Sequence, residues 1–490
     1  MEESVANNEV DLSVTIDLDS FDEETEESVA NNEVDSSYVP SVCETSGETT
    51  IGSESDSILS TKRKFIVHER KLLALFASCP KCHKSVLPEV CVSGTSVKIW
   101  TTCSDDHVRS WESQPTAEKT YVGNLMVAGG ILFSGLSPSK TLRFLTSIGV
   151  ATYCTRTFFR YQTDLLLPAV QQVWNEAQKD LLEKIELPVA LAGDGRADSP
   201  GFSEKYGTYT LLDMRANKIL HVELVQSNEV GGSARMELEG LVRSIRHLEG
   251  WGVSISTLVT DRHSQIRKYL REQHPDIKHL FDCWHVAKGI KKKLMAACRP
   301  KGFERIGLWT KSITKHLYHC AATSGGDGEL MQAKWLSMLN HIGDVHTGHS
   351  EIFPACEHGP FHRRKWITQG TDAHDRLATI LASKSFLKDV KQLSSEGQTF
   401  SVETFHSTLI QFAPKSVAYS HSIMAARTFI AALHYNENSN RKQRKTKDGQ
   451  PQWKRKYPKA QGGEPVVQEL MEDATYSEYI YFLVEQVEET

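Results

Sequence analysis

Residues 257–293, TLVTDRHSQIRKYLREQHPDIKHLFDCWHVAKGIKKK, constrain the fold more than any other stretch. They read as strand, helix, strand, helix with a polar group at the end of each strand. Leu258 and Val259 run into Asp261, and the amphipathic segment Ser264 to Gln273 carries the chain back. Ile277 to Phe281 then delivers Asp282 and His285 beside it. In parallel α/β sheets, ligands gather at the carboxyl ends of strands, so the chemistry is expected at these polar groups.

The preceding residues extend the pattern. From Leu187 the period shortens: Pro188 to Gly193 is an apolar run ending in Asp194, and Thr208 to Leu212 with Ile219 to Val225 forms a hairpin around the polar turn Met214 to Lys218. Helical spacing returns in Met236 to Leu248. Three strands, helix, strand, helix, strand, helix is the layout of an RNase H-like domain, with one carboxylate on the first strand and another on the fourth. Residues 295–384, polar and histidine-rich with a helical stretch at Trp335 to His341 and a Gly325-Gly326-Asp327-Gly328 loop, interrupt it as an inserted subdomain. Phe400 to His406 then begins a helix whose buried stripe is Val402, Phe405 and Leu409, leaving Glu403 and His406 on an adjoining flank.

Asp194, Asp261 and Glu403 are therefore the candidate catalytic carboxylates. An acidic trio of this kind holds two divalent ions, and phosphodiester cleavage uses such a pair to activate a water or 3′ hydroxyl and to stabilise the leaving oxygen. Carboxylate oxygens suit Mg²⁺ or Mn²⁺. A single Asp at a strand end is more often a turn or cap residue; the order and spacing of all three point to the site. Asp198 competes with Asp194, but only Asp194 directly ends an apolar run.

The rest of the chain divides around this core, residues 186–294 and 385–440. Residues 1–61 hold 17 Asp and Glu and no Lys or Arg, and they carry EESVANNEVD twice, at 2–11 and 26–35; this reads as a disordered acidic tail. The remaining 45 acidic and 56 basic residues leave a basic body, which favours nucleic acid as a partner. Residues 62–115 contain Cys79-Pro-Lys-Cys82, Cys103 and His107 among alternating apolar residues, the pattern of a small zinc ribbon with a structural zinc.

Residues 116–185 are helical, with a long helix expected from Pro168 to Ile185. Two segments joined by Ile148-Gly149-Val150 have helix-turn-helix spacing, and Arg156, Arg160 and Gln162 are candidates to enter a DNA groove; plain helix packing is the other reading. Lys291 and Lys292, after the second strand-end carboxylate, are further candidate DNA contacts or simple helix-surface lysines. Within the insertion, Cys320, His346, His349, Cys356 and His358 are irregularly spaced candidates for a second zinc.

Residues 441–490 form a basic tail and a short amphipathic end at Val466 to Val487. RKQRKTKDGQPQWKRKYPK at 441–459 reads as a nuclear localisation signal or a phosphate-touching tail. No stretch approaches the roughly 20 apolar residues of a membrane span, and no signal peptide is recognisable, so an intracellular, nuclear protein is expected.

GDGRADSPGFSEKYGTYTLLD (193–213), the 259–294 core with Asp282-Cys-Trp-His285, and VETFHSTLIQFAPKS (402–416) resemble the eukaryotic cut-and-paste DNA transposases with a DDE triad, most of all Kolobok-type elements and vertebrate genes descended from them. The resemblance covers roughly residues 75–440. It implies an α/β, RNase H-like catalytic core with a helical insertion, preceded by a zinc-ribbon-like module and a helical segment. It also implies catalysis by Asp194, Asp261 and Glu403 with two Mg or Mn ions, accessory places for Asp282 and His285 near the metals, DNA as partner and a homo-oligomer. Many Kolobok-type transposases begin with a THAP zinc finger; the acidic repeat stands there instead, so the ribbon and the helix pair are the remaining candidates for recognising DNA ends. The alternative is a domesticated, catalytically silent DNA-binding protein that keeps the core as a scaffold. A nuclease acting on RNA–DNA hybrids is a third reading.

Overall fold

The computed structural model of the chain describes residues 64–117, 120–199, 204–359, 365–395, 399–457, 465–475 and 478–489. The acidic repeat lies outside them. The chain divides into two compact units.

The larger unit is built on five strands: β1 (Val189–Ala197), β2 (Tyr206–Asp213), β3 (Lys218–Gln226), β4 (Ile255–Thr260) and β5 (Lys278–Phe281). Their order is β5-β4-β1-β2-β3. β1, β2 and β3 pair antiparallel, whereas β4 runs parallel to β1 and β5 parallel to β4. Six helices frame the sheet: α1 (Leu167–Lys184), α2 (Met236–Gly250), α3 (Ser264–Gln273), α4 (Cys283–Ala297), α5 (Phe400–Phe412) and α6 (His421–Asn438).

Both faces of the sheet are covered because successive strand residues point to opposite sides. Ala192, Leu212 and Ile219 join Val170 and Trp174 of α1, Val402, Phe405 and Leu409 of α5 and Ile430 of α6 in one core. Their neighbours Leu191, Leu211 and Leu220 join Leu241 and Ile245 of α2 and Ile266 and Leu270 of α3 in the other. The close approach of α2 depends on Gly240, since a Cβ there would lie 2.5 Å from the Cβ of Tyr209. Gly240→Ala is expected to destabilise the fold by about 1–3 kcal/mol, read as a lower unfolding midpoint in denaturant.

The stretch 295–384 is helical, with Glu304–Thr323, Gly328–Ile342 and Asp372–Leu381, and a further helix, Lys384–Val390, follows across its expected end. The expected Gly325–Gly328 loop is present, and Asp327 caps the second helix through the N–H groups of Glu329 and Leu330. The chain returns along the edge of β5: Phe281 N donates to Gln392 O at 2.6 Å and Ser394 N to Phe281 O at 3.0 Å. The buried Asp389 of Lys384–Val390 also accepts from Arg262 in the loop after β4 and from Arg267 of α3, fastening both to that helix.

Ahead of the core stand a three-stranded antiparallel sheet (Glu89–Ser93, Ser96–Thr102, Val108–Glu112) and the helices Val122–Phe133, Pro138–Ser147 and Thr155–Tyr161. Gly149 turns at φ 76° between the second and third of them. The last of these helices does not stop, however; it passes through a π-helical turn at Gln162–Leu166 into α1.

The smaller unit includes Arg441–Ala474, and here the sequence reading needs correction. Trp453–Lys456 pairs antiparallel with Val466–Glu469, so part of the basic stretch is a hairpin strand. The amphipathic end begins as that second strand, where β-branched Val466 and Val467 suit a ladder; among its described residues, the helix is Glu478–Glu489, in the larger unit.

Candidate functional site

Two carboxylates meet at the carboxyl ends of β1 and β4. Ala192 pairs with Val259, so two residues further on Asp194 stands beside Asp261, the residue that follows β4. Neighbouring strands lie about 4.8 Å apart, and residues two apart share a face. That face is the one α5 crosses. Asp194 Oδ2 lies 3.6 Å from His406 Nδ1, and His406 Nε2 lies 3.3 Å from the hydroxyl of Thr210, the residue paired with Asp194 on β2. Asp198 serves the β1–β2 connection instead, where its Oδ1 accepts from the Lys205 N–H.

Glu403, three residues before His406 in the first turn of α5, reaches the same end of the sheet, with Oε1 3.6 Å from His285 Nε2. Asp282 fixes both helices that bring this pair together. Its carboxylate is 1 % exposed; Oδ2 accepts from the backbone N–H of His285 at 3.1 Å and meets His285 Nδ1 at 2.8 Å. Oδ1 accepts from Thr399 N, the N-cap residue of α5, at 3.4 Å. Asp282 is thus the N-cap of α4 and a positioning residue, with its oxygens turned to these donors. At the far end of α5, the carbonyls of Phe412 and Ala413 accept from the buried Arg427 and Arg196.

Electrostatics bind these groups into one patch. Burial, then the neighbouring Asp261 and Glu403, push the Asp194 carboxyl up to about 7, against a lowering by His285 and the Gly195 N–H. Glu403 is raised by burial and by Asp282, with His285 and Lys288 opposing. Burial lowers His285, but Asp282, with Asp194 and Glu403 behind it, outweighs burial and leaves the imidazole raised. Burial and the nearby Arg196 and Lys415 hold His406 down to about 3, so its ring is neutral at ordinary pH.

A fourth carboxylate, Glu237, was not anticipated from the sequence. It lies in the first turn of α2, 3.9 Å from His263 Nε2, and its carboxyl is raised to about 8 by burial and then by Asp261 and Asp194. Gly195 makes room for it, since a Cβ there would sit 2.8 Å from Glu237 Cγ. The signal was the Gly193-Asp194-Gly195 triplet: glycine inside a strand marks close approach by another group.

The ribbon residues come together as expected. Cys79, Cys82, Cys103 and His107 offer donor atoms all within 4.8 Å of one another. Cys82 and Cys103 Sγ lie 3.6 Å apart, and Cys79 Sγ lies 3.7 Å from His107 Nδ1. Zinc bonds of roughly 2.3 Å to sulfur and 2.0 Å to nitrogen give tetrahedral edges near these lengths, about 3.8 and 3.6 Å. His83 and Asp106, at φ 59° and 56°, turn the two knuckles, and the N–H groups of Cys82 and Lys81 pull the Cys79 thiol down to about 6. The donor set is compatible with a structural zinc.

The candidate DNA contacts divide. Arg156 and Arg160 are exposed on Thr155–Tyr161, but Gln162 is 1 % exposed, because it stands four residues after the buried Phe158 and so shares that inward face. On α4, Lys292 is exposed and Lys291 half-buried, while exposed Lys288 lies 4.6 Å over the Trp284 ring. Among the described residues, no helix is long and apolar enough to cross a membrane.

No protein-family model matches the chain, and neither does any curated protein. Among solved structures, it is similar to the Drosophila P element transposase strand transfer complex, at 12 % identity and a TM-score of 0.30, over 63 % of this chain and 91 % of that one.

Proposed function

We propose that this chain is a DNA transposase, or derives from one, and that it cleaves and joins phosphodiester bonds at Asp194, Asp261 and Glu403. The observation that carries this reading is the meeting of Asp194 and Asp261 on adjacent parallel strands, with Glu403 brought to the same end by α5. The strand order β5-β4-β1-β2-β3 with its antiparallel first three strands supports assigning an RNase H-like core.

Two Mg²⁺ or Mn²⁺ ions fit the donors. The triad offers only hard carboxylate oxygens, and the raised Asp194 carboxyl marks buried negative charge that a cation relieves. When bound, such ions activate a water or 3′ hydroxyl and stabilise the leaving oxygen. The protein's own part is orientation. Rigid strands fix Asp194 and Asp261, neutral His406 braces Asp194 against Thr210, and Asp282 aims His285 at Glu403. Lys288, Lys291 and Lys292 extend from the same helix as His285 and would meet the DNA backbone. Arg156 and Arg160 are a second candidate contact, and Cys79, Cys82, Cys103 and His107 would hold a structural zinc. A nuclear, oligomeric protein follows from this reading.

The test is Mn²⁺-dependent nicking of DNA by the purified full-length chain. Asp261→Ala is expected to abolish nicking and strand joining while DNA binding is retained. Wild-type protein that binds but never nicks any DNA, its own candidate ends included, overturns the enzyme and leaves the scaffold reading. Cleavage of RNA–DNA hybrid without strand joining would select the hybrid nuclease instead.

A further inference from the structure

The insertion gathers a second Cys/His group that serves none of the chemistry above. His341, in the last turn of Gly328–Ile342, and His346, Cys356 and His358 offer donor atoms all within 4.8 Å of one another. The segment after the helix folds back on itself: Cys356 N donates to His346 O at 2.9 Å, and Thr347 and Ala355 form an antiparallel bridge. Asp344, at φ 65°, makes the turn that starts it. Cys356 Sγ lies 3.6 Å from His341 Nδ1, and His358 Nε2 lies 3.3 Å from that same nitrogen. A zinc ion with roughly 2.0 Å bonds to nitrogen and 2.3 Å to sulfur has tetrahedral edges of about 3.6 Å between N and S and about 3.3 Å between two nitrogens.

The outer hydrogen bonds decide what the inner atoms are. His346 Nε2 meets the Asp344 carboxylate at 3.1 Å and His358 Nδ1 meets the Gly359 carbonyl at 2.7 Å. Both partners only accept, so these outer nitrogens carry the protons and His346 Nδ1 and His358 Nε2 present lone pairs inward. His349 is set differently. Its Nδ1 faces the Asn340 amide nitrogen, a donor, at 3.2 Å, so its Nε2 carries a proton and donates to Cys356 Sγ at 3.2 Å. The sulfur therefore accepts a hydrogen bond from His349. His341 Nδ1 lies within reach of both Cys356 Sγ and His358 Nε2, and a single proton there serves one of them at a time. A cation at the centre satisfies all four donors, and carboxylate, carbonyl and imidazole groups around them are the outer partners that metal-bound ligands keep. Trp309 and Trp366 wall the group, with ring centroids each 5.7 Å from that of His341.

We propose that His341, His346, Cys356 and His358 bind a structural zinc ion, with His349 donating to its thiolate. This zinc pins the end of the Gly328–Ile342 helix to the folded-back segment and so holds the insertion together. Cys320 takes no part: it is fully buried on Glu304–Thr323.

The test is the zinc content of the full-length chain, a readout that does not depend on DNA cleavage. Two zinc ions per chain are expected for the wild type, one for Cys356→Ser and one for the Cys79→Ser/Cys82→Ser double variant. Co²⁺ added to metal-free protein is expected to quench tryptophan fluorescence, and Trp366→Phe to diminish that quenching. His341→Cys guards against misfolding of the other variants: it is expected to retain the second zinc and to strengthen the thiolate-to-Co²⁺ charge-transfer band. Zinc content unchanged by Cys356→Ser, or a wild-type chain whose whole zinc content vanishes with Cys79 and Cys82, overturns the proposal. Loss of nicking with both zinc ions present would instead count against the catalytic reading alone.

Discussion

Asp194→Asn is expected to make the protein more stable in the absence of Mg²⁺ and Mn²⁺ while reducing DNA cleavage to background. The carboxyl stands at about 7 in the folded chain against an ordinary value of 3.8. A raised carboxyl means that the native state still holds a proton where the unfolded chain has released it. Stability from this group therefore falls as pH rises from about 4 through about 7, and the full penalty is present above that. Asparagine keeps the shape and removes the charge. At pH 8 the variant should gain on the order of 2 kcal/mol, since each pKa unit is worth about 1.4 kcal/mol and part of the shift belongs to neighbours it shares with Asp261. In a unit of this size the gain is a rise of roughly 2–3 °C in unfolding midpoint. At pH 4, where both forms are neutral, the two proteins should unfold together. Mg²⁺ should raise the wild-type midpoint at pH 8 and leave the variant nearly unmoved. Scanning calorimetry at the two pH values, with and without Mg²⁺, checks this; equal midpoints at pH 8 would show that Asp194 pays no burial penalty. Stability given up at a charged, desolvated site is a common mark of function.

How far the sequence carried this site depended on whether a residue's place follows from periodicity. Asp194 and Asp261 close apolar strand runs, and parallel strands bring such ends together; their meeting was legible. Glu403 was legible as the flank adjoining the buried stripe of an amphipathic helix. Glu237 was not, because nothing in the helix Met236–Gly250 says that its first turn overhangs a strand glycine. Gln162 was misplaced although periodicity was enough to place it: two residues after exposed Arg160 and four after buried Phe158, it shares the inward side of the helix with Phe158. His341 was read as the end of a helical stripe. Only the folded-back segment, with its turn at Asp344, brings His346, Cys356 and His358 to it, and such long-range closure leaves little periodic trace.

Asp282→Ala tests whether the second strand-end carboxylate acts by positioning. Three hydrogen bonds end on this one buried group: the backbone and ring of His285 and the backbone of Thr399. Removing it strips α4 of its N-cap, costing about 1–2 kcal/mol, and leaves the Thr399 N–H buried without its carboxylate, costing about 1–3 kcal/mol more. It also releases the His285 ring, whose pKa should fall because burial then acts unopposed by Asp282. The His285 proton titration, followed by NMR, should therefore move to lower pH, which mere loss of packing at a distance would not produce. Cleavage should fall roughly 10- to 100-fold, the usual cost of losing a group that orients a metal-site side chain, while DNA binding persists. Asp282→Asn separates the two roles. Its amide oxygen still caps α4, so stability should largely return, but one neutral oxygen cannot hold both α4 and Thr399 and stabilise a charged imidazole, so the low His285 pKa and the reduced cleavage should remain. A variant that loses activity completely, with His285 titrating as in the wild type, would move Asp282 from positioning to direct contact with the metals.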